Sequence, residues 1–203
     1  MATITAINIQ TKNKDRCNVF LDGEFAFGLS VETAVKYSLK VGLRVDQNEI
    51  REICFESEKI EALEKSISYV SGRLKTKRQV KEYLMRKGYA EQIVFFVIDK
   101  LKEYDYINDV NFAKRYLESC YKKEGRKLSD YKLMAKGVKK SDIETARCDV
   151  EIDTLTSACE LAKKHLKNKE ITKENLQKTY RYLIGKGFSY EEASFALKEY
   201  KEF

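Results

Sequence analysis

Three Lys-Gly pairs, Lys87-Gly88, Lys136-Gly137 and Lys186-Gly187, recur along the chain at intervals of 49 and 50 residues. Four positions ahead of each glycine stands a leucine, Leu84, Leu133 or Leu183, and directly after it an apolar residue, Tyr89, Val138 or Phe188. Nine positions after each come Val97, Ala146 and Ala196. A glycine that closes a helical run can adopt the left-handed C′ conformation, and the next residue then folds back apolar against the helix. Each pair therefore predicts a helix end. Thr76-x-x-Gln79 opens the helix before Gly88, while Ser141-x-x-Glu144 and Ser189-x-x-Glu192 are capping boxes that open the helix after a turn. A further helix near 58–71, 109–123 and 153–166 completes a unit of helix, helix, tight turn, helix, present three times. Units this small share burial with their neighbours, and the period is too long for a tetratricopeptide array.

The first part of the chain has a different pattern. Ile7 and Ile9 alternate with polar residues, a second run covers Cys17 to Leu21, and Asp22-Gly23 suits the positive φ values of a type I′ turn. Val19-Phe20-Leu21 and Glu24-Phe25-Ala26-Phe27 are thus expected to pair in a small antiparallel meander. Ser30 caps a short helix to about Leu39, stopped near Gly42, and Asp46 with Glu49 forms the next capping pair. Proline is absent and glycines number nine, so helices beyond Asp46 run unbroken. The expected fold is mainly α: an N-terminal β-hairpin segment (1–57), then three tandem three-helix repeats (58–107, 108–150, 151–203). With 35% charged residues, the array is expected to be elongated and curved.

The middle repeat departs most from the pattern, because Val80 of the first repeat corresponds to Ser129 and Ile98 to Arg147. Its core is expected to be the weakest, or its surface the most specialised. The net charge of +7 is concentrated in the same region, where residues 111–150 carry 11 basic against 6 acidic residues. A polyanion would meet this centre first.

Little in the sequence points to catalysis. Cys17, Cys54, Cys120, Cys148 and Cys159 show no Cys-x-x-Cys spacing, and one histidine, His165, leaves little to complete a metal site. His165 lies at the end of a helix, where the dipole favours its charge. No phosphate-cradling glycine loop of the Walker type occurs, so neither an enzyme nor a cofactor is expected. Scattered cysteines and no apolar run of about 18 residues point to the cytoplasm, with no membrane association.

Two basic stretches carry the binding expectation. The first holds Arg73, Lys75, Lys77, Arg78, Lys81, Arg86 and Lys87 against Glu82, and the second Lys122, Lys123, Arg126, Lys127, Lys132, Lys136, Lys139 and Lys140 against Glu124 and Asp130. Both span the entry into a repeat's second helix, where cations meet phosphates beside helix N-terminal N–H groups. Tyr121 and Tyr131, set among cations, are candidates to stack on bases, whereas most other tyrosines at helical spacing belong to the core or to repeat interfaces.

The run Val80-Lys-Glu-Tyr-Leu-Met-Arg-Lys-Gly88-Tyr, then Val97 to Asp109, Phe112-Ala-Lys-Arg-Tyr116, Arg126 to Gly137 and Tyr180 to Tyr190, resembles the RecX family over nearly the whole chain. That resemblance implies a non-catalytic protein that regulates the RecA recombinase, and a monomer is expected. It implies binding to the RecA–single-stranded DNA filament, with at most weak duplex binding, and restraint of filament growth, recombination, RecA ATP hydrolysis and repressor cleavage. Family members often carry an aliphatic residue where this chain has Ser129. A helix-turn-helix transcription regulator and a helical-repeat scaffold remain the rival readings, although three nonidentical copies argue against a palindromic reader.

Overall fold

The computed structural model describes residues 1–200. The chain forms two compact units, residues 1–73 with 80–106, and residues 74–79 with those from 107 onward. In the first unit, β1 (Ala2–Ile9), β2 (Arg16–Leu21), β3 (Glu24–Ser30) and β4 (Arg44–Val45) form an antiparallel sheet of order β3-β2-β1-β4. The expected hairpin is present: Leu21 pairs with Glu24, and Asp22 and Gly23 take φ values of 50° and 92°. Ser30 caps α1 (Val31–Lys36) by accepting the Thr33 N–H. This helix ends before Leu39 because Ser38, at φ 50°, takes the left-handed position and the Leu39 N–H closes on the Ala34 carbonyl at 2.9 Å.

Asp46 and Glu49 form a reciprocal capping box that opens α2, a single helix of 25 residues (Gln47–Ser71). Its first half closes the sheet, burying Ile53 among Ile4, Cys17, Val19 and Leu29. Two polar contacts fix the attachment: Ser57 Oγ accepts the Ser30 N–H at 3.0 Å, and Arg16 pairs with Glu61. The second half packs with α3 (Lys77–Arg86) and α4 (Glu91–Glu103), where Val80, Leu84, Ile93, Val94, Val97, Ile98 and Leu101 are buried and Tyr69 stacks on Tyr83 at 4.1 Å. No helix among the described residues is long and apolar enough to cross a membrane.

The second unit contains two repeats: α5 (Asp109–Cys120), α6 (Arg126–Ala135) and α7 (Lys140–Cys148), then α8 (Thr154–Leu166), α9 (Lys173–Gly185) and α10 (Tyr190–Phe195). Ala113, Leu117, Leu133, Val138, Ile143 and Ala146 form one core, and Ala158, Leu161, Ala162, Leu166, Leu183, Phe188, Ala193, Ala196 and Leu197 the other. Ser189 and Glu192 form their capping box, but Ser141 and Glu144 do not, since α7 starts from Lys139 with no side-chain cap. The turn dictates this difference. The N-cap falls two residues after each glycine, at Ala90, Lys139 and Ser189, so Ser141 lies inside the first turn.

All three glycine turns have the same backbone, with φ of 86°, 90° and 89° at Gly88, Gly137 and Gly187. In each, the residue after glycine donates its N–H to the leucine carbonyl: Tyr89 to Leu84 (3.3 Å), Val138 to Leu133 (3.1 Å) and Phe188 to Leu183 (3.2 Å). One leucine thus supplies both the buried side chain and the acceptor that ends the helix.

Within the second unit, two of these turns also hold a neighbouring segment. The Gly125 N–H donates to the Lys186 carbonyl at 2.9 Å, and the Lys127 N–H to the Gly187 carbonyl at 3.0 Å. A Cβ on Gly187 would lie 2.4 Å from the Leu128 nitrogen, and one on Gly125 2.4 Å from the Gly187 carbonyl group, so backbone meets backbone with no room for a side chain. At the preceding turn, Thr76 Oγ1 donates to the Lys136 carbonyl at 2.7 Å and Arg78 donates to the Ala135 carbonyl. The Arg78 side chain fills the space beside Gly137. In both cases the entry to one repeat's second helix is held by the closing turn of the next.

The substitutions in the middle repeat compensate one another. Ser129 is 2% exposed, and Arg147 reaches it to donate to Ser129 Oγ at 2.9 Å while pairing with Asp130. The apolar pair Val80 and Ile98 of the first repeat is replaced by a satisfied polar pair. Arg147→Ala, which removes the donor to Ser129 Oγ and the shorter of the two ion pairs of Asp130, is expected to cost about 1 to 2 kcal/mol in urea unfolding, whereas Ser129→Val with Arg147→Ile should be neutral or stabilising. Gly187→Ala combines left-handed strain with overlap and should cost about 2 to 4 kcal/mol in the same measurement.

Candidate nucleic-acid interface

The cations expected to bind divide by what they touch. Arg78 holds the Gly137 turn, and Lys132 pairs with Glu124, which also accepts the Tyr116 hydroxyl at 3.1 Å. Burial and the Glu124 carboxylate push the Tyr116 hydroxyl upward and the Cys120 thiol to about 11. Arg126 sits 3.0 Å from Glu144 and 3.7 Å from Asp130. Lys81 pairs with Glu91 at 3.4 Å and lies over the Phe95 ring, and Arg86 donates to the Glu82 carbonyl. Glu124 and Asp130, the two acids in the second basic stretch, are thereby engaged internally.

Lys122, Lys123, Lys127, Lys139 and Lys140 are exposed and have no carboxylate partner among the described residues. Lys136 also has no acid partner, but its carbonyl serves the Thr76 contact and it is half-buried. In the first stretch Arg73, Lys77 and Lys87 are exposed, Lys75 is half-buried, and Lys87 lies 5.8 Å from the Tyr83 ring. Among the described residues, exposed lysines without a carboxylate partner thus fall in the middle repeat at the turn before α6 and the start of α7.

The helix N-termini differ from expectation. Gly187 takes the α6 N–H of Lys127, and Asp109 takes the α3 N–H of Lys77 at 2.8 Å. Thr76 and Gln79 exchange their bonds as a capping box. Phosphates approaching α3 or α6 would meet side chains without those N–H groups. The start of α7, with Lys139, Lys140 and no side-chain cap, keeps the combination of cations and N–H donors.

Tyr131 is 67% exposed and Tyr121 half-buried beside Lys122, so both of the singled-out tyrosines reach the surface. Tyr190 was not legible as a candidate. It is 64% exposed and stands 5.1 Å from the Lys127 ammonium, 63 positions away in sequence, a proximity created by the docking of α6 onto the Gly187 turn. Among the described residues there is no group of three His, Cys, Asp or Glu that could hold a metal ion.

Family models match residues 2–46 as the RecX N-terminal domain, 62–101 as the first RecX three-helix domain and 151–197 as the third. A regulatory protein RecX from Clostridium tetani is 36% identical over 97% of this chain and 93% of its own length. The chain belongs to the RecX family. A second RecX, from Clostridium botulinum, is 34% identical over 100% of this chain and 98% of its own. A crystal structure of regulatory protein RecX covers 100% of both chains at TM-score 0.74 and 24% identity. RecX from Lactobacillus salivarius covers 71% of this chain and 97% of its own at TM-score 0.64 and 24% identity. At that identity the structural likeness speaks for the fold, and the fold is the RecX one: a small antiparallel sheet followed by three-helix repeats. This is a family of regulatory proteins.

His165 in this RecX chain is not held as a helix-end cation. Its ring stacks on Tyr182 at 4.4 Å, and Nδ1 lies 2.9 Å from Thr179 Oγ1, whose hydroxyl donates to the Asn175 carbonyl. Nδ1 therefore carries the proton and Nε2 accepts from Lys169 at 3.2 Å. Burial, then Lys169, lowers the pKa below 6.5. The unfolded chain consequently takes up the proton first as pH falls. The stabilisation is complete above pH 6.5 and is lost as pH drops below it. Thermal unfolding should shift downward between about pH 7 and 5, and His165→Gln should flatten that part of the pH dependence; an equal slope in the variant would count against this role.

Proposed function

We propose that this chain restrains the RecA recombinase without catalysis, in the cytoplasm and as a monomer, by binding the RecA–single-stranded DNA filament and blocking its extension or promoting its disassembly. Family membership supports the recombinase as partner. The observation that carries the nucleic-acid part is the set of exposed lysines without acid partners among the described residues at 122, 123, 127, 139 and 140, with Tyr190 beside Lys127 and Tyr131 exposed in the same repeat. Ammonium groups of this kind displace counterions from a phosphate backbone, and exposed aromatic faces stack on bases without reading sequence. Each contact is weak, and several on one repeat array act together through effective concentration. Arg126, Lys132 and Arg78 support the site by holding its elements in place. Lys122, Lys123, Lys139 and Lys140 are its phosphate contacts; Arg73 and Lys87 belong to the first unit.

The test is RecA ATP hydrolysis on single-stranded DNA with this protein titrated from far below the recombinase concentration. Substoichiometric inhibition is the expected result, and no effect at equimolar protein would overturn the reading. Replacing Lys122, Lys123, Lys139 and Lys140 by Glu should weaken inhibition about tenfold or more at unchanged helicity. Single-strand affinity should also lose salt dependence, the log–log slope falling by about 0.7 for each phosphate contact removed. A preference of about 10³-fold for one duplex sequence would instead favour a transcription regulator.

A further inference from the structure

The three Lys-Gly turns are alike in backbone but not in surroundings. Gly187 is buried, Gly137 half-buried and Gly88 exposed, and a Cβ on Gly88 would meet nothing within 4 Å. At Gly187 and Gly137 the turn carbonyls accept hydrogen bonds from the segment that leads into another repeat's second helix. Gly88 presents the same backbone, and among the described residues no segment leading into another helix donates to its turn carbonyls. Beside it, a groove of about 350 Å³ separates Lys87-Gly88-Tyr89 from the edge of β3 at Phe27-Gly28 and from Ser57 and Glu58 of α2.

We propose that the Lys87-Gly88 turn is a protein-docking point. Its occupant is a segment of another protein that runs extended into the first turn of a helix. It carries a small residue at that junction and donates backbone N–H groups to the turn, as residues 125–127 do at Lys186 and Gly187. Two observations set the chemistry of that occupant. At Gly187 the approach is backbone to backbone with Gly125 incoming, and at Gly137 the incoming residue is Thr76, so the junction takes a small residue. Lys87 at the turn and Arg86 next to it in the chain are exposed and have no carboxylate partner among the described residues, while Glu61 in the groove is neutralised by Arg16 and Lys65, and Glu58 lies on the α2 side, so an acid of the incoming segment falls on the Lys87 side.

A second copy of the chain is a poor occupant. The segments ahead of α3 and α6 are already engaged, and α9 begins three residues earlier than the position matching the start of α6. Thr172 caps α9, its Oγ1 accepting the Asn175 N–H. The last repeat has closed its own entry and offers no free segment. The occupant is thus a different protein, and this inference rests on the reading above in naming it as a subunit of the RecA filament.

Gly88→Asn tests this, because asparagine tolerates the left-handed backbone and its side chain projects into open space. Gly88→Asp is the second variant, with the same backbone preference and a charge that repels an acidic segment. Both variants should stay folded with a modestly lowered thermal midpoint, since the left-handed backbone strains any side chain, and their affinity for free single-stranded DNA should be unchanged. Affinity for the preformed RecA–single-stranded DNA filament should fall about tenfold in Gly88→Asn, a drop equivalent to about 1.4 kcal/mol, and further in Gly88→Asp. Filament affinity equal to the parent in a folded variant overturns the proposal. A concentration-dependent dimer of the parent that Gly88→Asn dissolves also overturns it, in favour of a second copy. The basic-site reading fails separately, when the lysine-to-glutamate protein still inhibits while the Gly88 variants do not. A parent protein that does not bind the filament overturns both.

Discussion

A single backbone device underlies the helical part of this chain: a glycine at positive φ that turns the following N–H back onto a leucine carbonyl. Glycine is required because an L side chain in that conformation meets its own carbonyl, at a cost of about 1 to 2 kcal/mol. The turn ends one helix, sets the N-cap of the next two residues later, and leaves its outer carbonyls available. At Gly137 and Gly187 those carbonyls bind the entry of another helix. Helix ends normally leave orphan donors and acceptors to be satisfied by caps or water. At Gly187 the orphan acceptors of one helix and the orphan donors of another satisfy each other, and at Gly137 side chains of Thr76 and Arg78 supply the donors, so a repeat too small to stand alone gains hydrogen bonds as well as apolar contact from its neighbour.

That arrangement also shapes the candidate binding surface. Because the carbonyls of the Gly187 turn consume N–H groups at the start of α6, the anion-attracting capacity there rests on side chains. The internal pairs made by Glu124, Asp130 and Glu144 remove three of the nearby cations from the surface. What remains is a smaller, less compensated set of lysines than a count of charges suggests, placed next to exposed aromatic rings. Tyr190 joins that set through the fold, since the contact with Lys127 exists once α6 rests on the turn ahead of α10.

Much of the local structure was legible because it is written in short-range chemistry. Asp22-Gly23, the Asp46/Glu49 and Ser189/Glu192 boxes and the leucine-to-glycine spacing each satisfy their own backbone within a few residues. Ser141 was misread as a cap because the distance from glycine to N-cap is imposed by the turn and outweighs the preference of one hydroxyl. His165 stands in the last turn of α8 as expected, but its burial beside Thr179 and Tyr182 of another helix, which the sequence does not show, works against its charge. Nothing in the sequence marks Gly125 as special. Its counterparts in the repeat pattern are Thr76 and Asn175, and the need for a bare Cα arises from Gly187, which approaches it from 62 positions away.

Tandem repeats carry a risk that a helix finds the matching groove of the wrong copy while the chain is folding. The Ser129–Arg147 pair bears on that risk. Were α7 to settle against α3, the guanidinium of Arg147 would lie against Val80, with neither Ser129 nor Asp130 to receive it. The aliphatic Ile98 of α4, placed against α6, would in turn leave Asp130 without its Arg147 partner. Either exchange breaks the Arg147–Asp130 pair and sets a charged group against an aliphatic one, which costs more than the correct pairing gains over an apolar one. Such a pair distinguishes the middle copy from its siblings in the way a key is told from others cut on the same blank, and it lets similar repeats coexist in one chain with each helix returning to its own bundle.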